Sequence, residues 1–261
     1  MQPVGLSQER RKLIGRLRAR KTRVREGLVL VEGVRAVGEV LDCGTPVRFG
    51  VAAARLSVAP EGDALLHRLS AAGTDMVLLS DQELAEISDT ERHQGVMLVV
   101  AQPVSELEDV ARGPHCLVLD GVQDPGNVGT LIRAAVAFSI DGVIALDGTV
   151  DPWSPKAVRA SAGAVFRIPV VGAAWPDAER MLRDSGLPIL VADAGGASVR
   201  GCVHRGTFAL VLGNEGAGVR EAVRMMASGT VSVPMSGPAE SLNVGMAGSV
   251  LLFELTQEAL T

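Results

Sequence analysis

From Cys116 onward the chain alternates short, almost wholly apolar runs with stretches of helical period, and no other feature restricts its fold as strongly. The runs Cys116–Asp120, Val143–Leu146, Val165–Val170, Ile189–Ala192, Phe208–Leu212 and Val231–Val233 read as strands. Helices are expected between them: from a Gly/Pro/Asn loop to about Ser139, from about Pro155, over Pro176–Asp184, over Val219–Met226, and over Ser241–Glu258. Apolar strands separated by helices bury both sheet faces, which makes this an α/β fold with a mostly parallel sheet. Such sheets take ligands beyond the carboxyl ends of their strands.

The first half repeats the alternation on a smaller scale. Strands are expected at Leu28–Val31, Arg48–Ala52, Met76–Leu79 and Val96–Val100, with helices at Val34–Leu41, Asp63–Ala72 and Asp81–Ile87. This gives a small α/β domain over residues 27–100, a Pro- and charge-containing linker over 101–114, and a larger domain over 115–261. Residues 1–26 hold Arg or Lys at nine positions against Glu9 and Glu26, on a chain whose net charge is −5. A basic N-terminal arm on an acidic body fits phosphate binding as well as it fits a solvated helix. Cys43, Cys116 and Cys202 are far apart, with no C-x-x-C pair, which points away from disulfides and metal and toward a reducing cytoplasm. The longest apolar stretch, Ser241 to Phe253, is too short to span a bilayer, so no membrane role is expected.

Three strand-ending loops carry the unusual residues. Asp120 to Arg133 reads DGVQDPGNVGTLIR, a glycine-containing turn that could place N–H groups around an anion. It has neither the Gly-Lys-Ser/Thr of a P-loop nor G-x-G-x-x-G, so nucleotide hydrolysis and nicotinamide chemistry are unsupported. Asn127 and Arg133 would lie about 120° apart on one continuous helix. They converge only if Asn127 sits in the loop or at its cap; otherwise they are a cap and a surface cation. Leu212 to Gly218, LGNEGAG, sets Glu215 at a strand's carboxyl edge, as a functional carboxylate or as part of a plain turn. Pro234 to Val244, PMSGPAESLNV, feeds the last helix, where Ser241 is a suitable N-cap. Beyond it, Gly245, Ala247 and Gly248 suggest close packing, with another helix, of this chain or of a second subunit, as the natural neighbour.

Taken in order, the three loops resemble motifs 1, 2 and 3 of the SpoU (TrmH-type) methyltransferases of the SPOUT superfamily, over Cys116 to Leu255. Val158 to Ala164, VRASAGA, is similar to the stretch that family carries between motifs 1 and 2. Val31 to Arg35 (VEGVR) and Gln94 to Met97 (QGVM) look like the L30e-like substrate-binding domain that precedes the catalytic domain in many members. The resemblance implies a C-terminal trefoil knot, a rare exception to unknotted chains. It implies S-adenosylmethionine held by Leu212, Gly213, Val233, Met235 and Leu242, and catalytic positions at Asn127, Arg133, Glu215, Ser241 and Asn243. It also implies a homodimer, no metal, and transfer of a methyl group to a ribose 2′-hydroxyl of RNA. Ribosomal RNA is preferred to transfer RNA because of the separate N-terminal domain. The competing reading from another class is a catalytically silent RNA-binding protein of the same fold, against which the intact motif residues speak.

Overall fold

The computed structural model describes residues 5–90, 92–201, 206–238 and 241–257. Cys202 lies outside them. Two compact units emerge: Met1–Pro103 together with Trp153–Arg167, and Val104–Pro152 together with Ile168–Thr261.

Unit 1 begins with α1 (Gln8–Leu17) and α2 (Arg20–Glu26), then β1 (Leu28–Glu32), α3 (Val34–Asp42) and β2 (Val47–Ala53). A 3-10 turn, Ala54–Val58, leads to α4 (Pro60–Ala71), β3 (Met76–Leu79), α5 (Asp81–Ile87) and β4 (Val96–Ala101). The sheet order is β1-β4-β2-β3; β4 is antiparallel to both neighbours, and β2 is parallel to β3. Ser80 starts α5 with a capping box, its hydroxyl accepting from the Glu83 N–H while Glu83 accepts from the Ser80 N–H.

The stretch read from its charge as an arm is integral to this unit. Ile14 and Leu17 are buried with Leu30, Phe49 and Val99. Arg10, Arg11 and Arg18 pair with Asp75, Glu86 and Asp89. Arg23 is buried and donates to the carbonyls of Leu17 and Arg18. An amphipathic helix with an apolar stripe docks on a sheet whatever the charge of its outer face.

Unit 2 runs through α6 (Leu107–Val110), β5 (His115–Asp120), α7 (Pro125–Ala137) and β6 (Gly142–Leu146). The chain then gives α8 (Pro155–Ala160) and a 3-10 turn (Ala164–Phe166) to unit 1. It continues in unit 2 with β7 (Val170–Ala173), α9 (Trp175–Ser185), β8 (Ile189–Ser198), β9 (Phe208–Gly213), α10 (Glu221–Arg224), β10 (Gly229–Ser232) and α11 (Val244–Thr256), with a 3-10 turn at Val199–Gly201. The six strands, ordered β10-β8-β9-β5-β6-β7, are all parallel to their neighbours. Cys116, Leu117, Val118 and Leu119 are wholly buried, as a central parallel strand requires.

Several boundaries differ from the sequence reading: β8 runs on to Ser198, α4 starts at Pro60, β10 is Gly229–Ser232, and α6 falls in the expected linker. Residues 165–169 are not a strand. Ala162 and Gly163 both take positive φ, turning the chain, and a side chain at Gly163 would run into the Ala36 backbone. Strand pairing starts only where the Pro169 carbonyl accepts from Val143. The 219–226 helix shrinks to Glu221–Arg224. The last helix starts at Val244, capped by Asn243 rather than Ser241: the Asn243 Oδ1 accepts from the Gly245 and Met246 N–H groups.

Candidate active site

At the carboxyl end of β5 the chain turns into α7, and Asp124 forms the cap, its carboxylate accepting from the Asn127 N–H at 3.0 Å. Pro125 occupies the first helical position, where no N–H is needed. Asn127 therefore lies on the helix, not in the loop. Its Nδ2 donates to Glu215 Oε1 at 2.9 Å, and Glu215 also faces the Gln123 and Asp124 N–H groups at 3.3 and 3.4 Å. Desolvation pushes the Glu215 carboxyl up, but hydrogen bonds from Asn127, its own backbone, Gln123 and Asp124 outweigh it and hold the group below its ordinary value. Motifs 1 and 2 are thus joined through a carboxylate that stays ionised.

The loop after β9 is fixed by Asn214. Its Nδ2 donates to the Gly121 carbonyl, and its Oδ1 accepts from the Gly216 and Ala217 N–H groups, all at 2.9 Å. Gly213 must lack a side chain because a Cβ there would collide with the Gly218–Val219 backbone. α11 closes the far side: a Cβ on Gly248 would strike Leu131 of α7 and Leu212 of β9, and one on Gly245 would meet Asn127 and Thr130. Gly245 and Gly248 of α11 therefore pack against α7 and β9, so the neighbouring helix is one of this chain and not of a second subunit.

Between these loops lies a cleft of about 560 Å³, at the carboxyl edge of the sheet. All five residues expected to hold the cofactor, Leu212, Gly213, Val233, Met235 and Leu242, line it, as do Glu215, Ser241 and Asn243. Leucine and valine side chains beside exposed loop backbone form a surface suited to an adenine ring with hydrogen-bonding edges, so the chemistry of the lining fits S-adenosylmethionine. Asn127 reaches the cleft only through Glu215.

Arg133 stands apart. It is exposed on α7, two turns from the loop, and makes no hydrogen bond or ion pair among the described residues. With Asn127 on the same helix, the two point about 120° apart and do not converge.

Two ion pairs escaped the sequence reading. Buried Asp120 accepts from the Arg220 N–H at 2.7 Å and from its Nε at 2.5 Å, tying the ends of β5 and the motif 2 loop. A carboxylate ending an apolar strand was a readable sign that it had a cationic partner. Arg224 and Asp193, 2.5 Å apart, both line the cleft. No local pattern marks that pair, because its members come from separate elements. Among the described residues no cluster of three or more His, Cys, Asp or Glu could hold a metal ion. Burial pushes the Cys116 thiol up, keeping it inert.

Comparisons with known proteins bear on this site. The model of the SpoU rRNA Methylase family matches residues 114–253, and that of the MRM3-like substrate binding domain matches residues 9–98. The chain is 32% identical over 92% of its length to the 23S rRNA (guanosine(2553)-2′-O)-methyltransferase RlmP of Bacillus subtilis (strain 168), covering 93% of that protein. It is 30% identical over 93% of its length to the 23S rRNA (uridine(2479)-2′-O)-methyltransferase of Streptomyces viridochromogenes, covering 87% of it. In structure it is similar to an AdoMet-bound rRNA methyltransferase from Sinorhizobium meliloti, with TM-score 0.84, 29% identity, and 98% and 97% of the two chains covered.

Proposed function

The chain belongs to the SpoU rRNA methylase family, and on that premise we propose that Asn127, Arg133, Glu215, Ser241 and Asn243 are its working residues beside a cofactor site built from Leu212, Gly213, Val233, Met235 and Leu242. The enzyme transfers a methyl group from S-adenosylmethionine to a ribose 2′-hydroxyl of RNA. The observation that carries the site assignment is the convergence of the motif 2 and motif 3 loops on one cleft.

The bound cofactor supplies the electrophilic methyl group. The protein has to hold the ribose in line with it and let the hydroxyl lose its proton. Glu215, fixed by three donors, orders the loop that forms one wall, and Asn127 is its link to α7. Asn243 spends its side-chain oxygen on capping α11, which leaves its amide donors for an oxygen of the ribose. Arg133, without a partner among the described residues, contacts the substrate phosphate and ribose and orients the hydroxyl. A guanidinium is a poor general base, since removing its proton at neutral pH costs about 7 kcal/mol. Orientation by the planar fork needs no such step.

Ribosomal RNA in the cytoplasm is the substrate we assign; the named relatives that span nearly the whole chain act on 23S rRNA. The reading extends to a C-terminal trefoil knot, supported by the return of α11 onto α7 and β9. It extends also to a homodimer through the outer face of α11, where Met246, Val250 and Phe253 are 59%, 38% and 44% exposed at helical spacing. Mapping 2′-O-methylated positions in ribosomal and transfer RNA from cells with and without the gene tests the substrate. One ribosomal position lost with the gene is expected; a lost transfer RNA position would overturn the choice.

A further inference from the structure

We propose that a cleft in unit 1, at the starts of α3 and α4, receives one unstacked nucleotide of the RNA substrate and holds its phosphate on Arg35 and Arg92. The proposal rests on the RNA methyltransferase reading, and goes beyond it in assigning a second binding site, in the unit that does not carry the cofactor cleft.

The cleft measures about 710 Å³. That is within the range of sites that enclose a small ligand, and far too small for an A-form duplex to enter. Leu56 and Val58 give it an apolar wall for a base. Its charged lining comprises four guanidinium groups, Arg35, Arg55, Arg92 and Arg159, against the carboxylates of Glu32 and Glu61, on a chain with net charge −5. Local concentration of positive charge on an acidic protein is the footprint of a phosphate site rather than of bulk charge.

Five of these six charges are sorted by their partners, and the sixth, Glu61, is exposed in the first turn of α4. Glu32 is buried and engaged: Ser88 and Thr90 hydroxyls donate to its Oε1 at 2.5 and 2.8 Å, and Arg159 lies 3.7 Å from its Oε2. Arg55 is held by Asp81 at 3.3 Å and by the His93 Nδ1 at 3.0 Å. These two arginines build the wall. Arg35 and Arg92 are exposed and make no hydrogen bond or ion pair among the described residues, so their charge is available to a ligand.

Backbone geometry supports the same position. α3 starts after Gly33, whose φ of 104° suits glycine and whose missing Cβ leaves room for Gln94. The Gln94 side-chain oxygen accepts from the Val34 N–H at 2.8 Å, which leaves the next N–H groups, of Arg35 and Ala36, without an intrahelical acceptor. An anion there meets oriented N–H groups and the Arg35 side chain together.

The test uses the full chain and a labelled, mixed-sequence single-stranded RNA of about twelve nucleotides, with binding followed by anisotropy as salt is raised. The native protein should bind this strand more tightly than a blunt duplex of equal length. Arg35→Ala combined with Arg92→Ala should lose about tenfold or more in affinity and flatten the log–log salt slope by about 1.4, two contacts at about 0.7 each. Titration of the same variant with S-adenosylmethionine should match the native protein, which also shows that it is folded. Unchanged affinity and slope in the variant, equal binding of the duplex, or no salt-dependent binding by the native chain would each overturn the proposal. A native protein that binds the strand as described yet takes up no S-adenosylmethionine would overturn the enzyme reading and leave the cleft standing.

Discussion

Glu215 shows how a residue with two readings is decided by its partners. As sequence it was equally a functional carboxylate or a solvated turn residue; in the structure it accepts hydrogen bonds from Asn127, Gln123 and Asp124. Its carboxyl lies below the ordinary value, so its contribution to stability is complete above the unfolded value of about 4.3 and is lost as pH falls through the lower folded value. Glu215→Gln should therefore melt earlier than the native protein at neutral pH, and the gap should close in acid. Thermal melts of both proteins across the acidic range check this, and a gap that persists at low pH would contradict it. The other site residues were legible to different degrees. Leu212, Gly213, Val233, Met235 and Leu242, which the family resemblance implied and no local pattern marks, all line one cleft. The cap of the last helix was misplaced by two residues, since Ser241 and Asn243 are both good caps and only backbone geometry chooses. Asp120 at the end of an apolar strand signals that it needs a cation, but neither Arg220 nor the Asp193–Arg224 pair is named by any local pattern.

At the scale of elements, the parallel strands of unit 2 were readable because buried strands need continuous apolar runs. The exception, 165–170, has the right composition, but the turn at Ala162 and Gly163 commits it to a 3-10 helix first. α11 has two faces with different duties. Its inner face touches α7 and β9 through Gly245 and Gly248, so Gly248→Leu should cost about 1–3 kcal/mol by overpacking. It should also weaken S-adenosylmethionine binding, because Leu212 lines the cleft; a denaturant melt and a cofactor titration measure both. A variant as stable as the native protein would show that α7 and α11 are not locked at this point. The outer face should behave oppositely. Met246→Glu with Phe253→Glu should leave the fold intact and produce monomers in light scattering at micromolar concentration. If these variants remain dimeric, or the native protein is a monomer with full activity, the proposed interface is wrong.

For the whole molecule, two blocks of alternating elements are visible in the sequence, but the return of Trp153–Arg167 to unit 1 is not, because no local pattern marks it. The start of unit 1 was not legible either, because nine basic residues in 26 obscured the apolar spacing of Leu13, Ile14 and Leu17. Deleting residues 1–26 should now unfold or markedly destabilise unit 1, since Ile14 and Leu17 would leave a cavity against the sheet. An unchanged melting temperature would restore the picture of a detachable arm. Arg133 is exposed, makes no hydrogen bond or ion pair among the described residues, and lies about 120° around α7 from Asn127. Single-turnover transfer of labelled methyl from S-adenosylmethionine to the mapped RNA substrate measures its role directly. Arg133→Ala should bind the cofactor normally and slow transfer to the 2′-hydroxyl by about 100-fold or more. Arg133→Lys should be nearly as slow, because a point charge does not replace the planar fork. Near-native transfer by Arg133→Ala, or label appearing on a base instead of a ribose, would contradict the account.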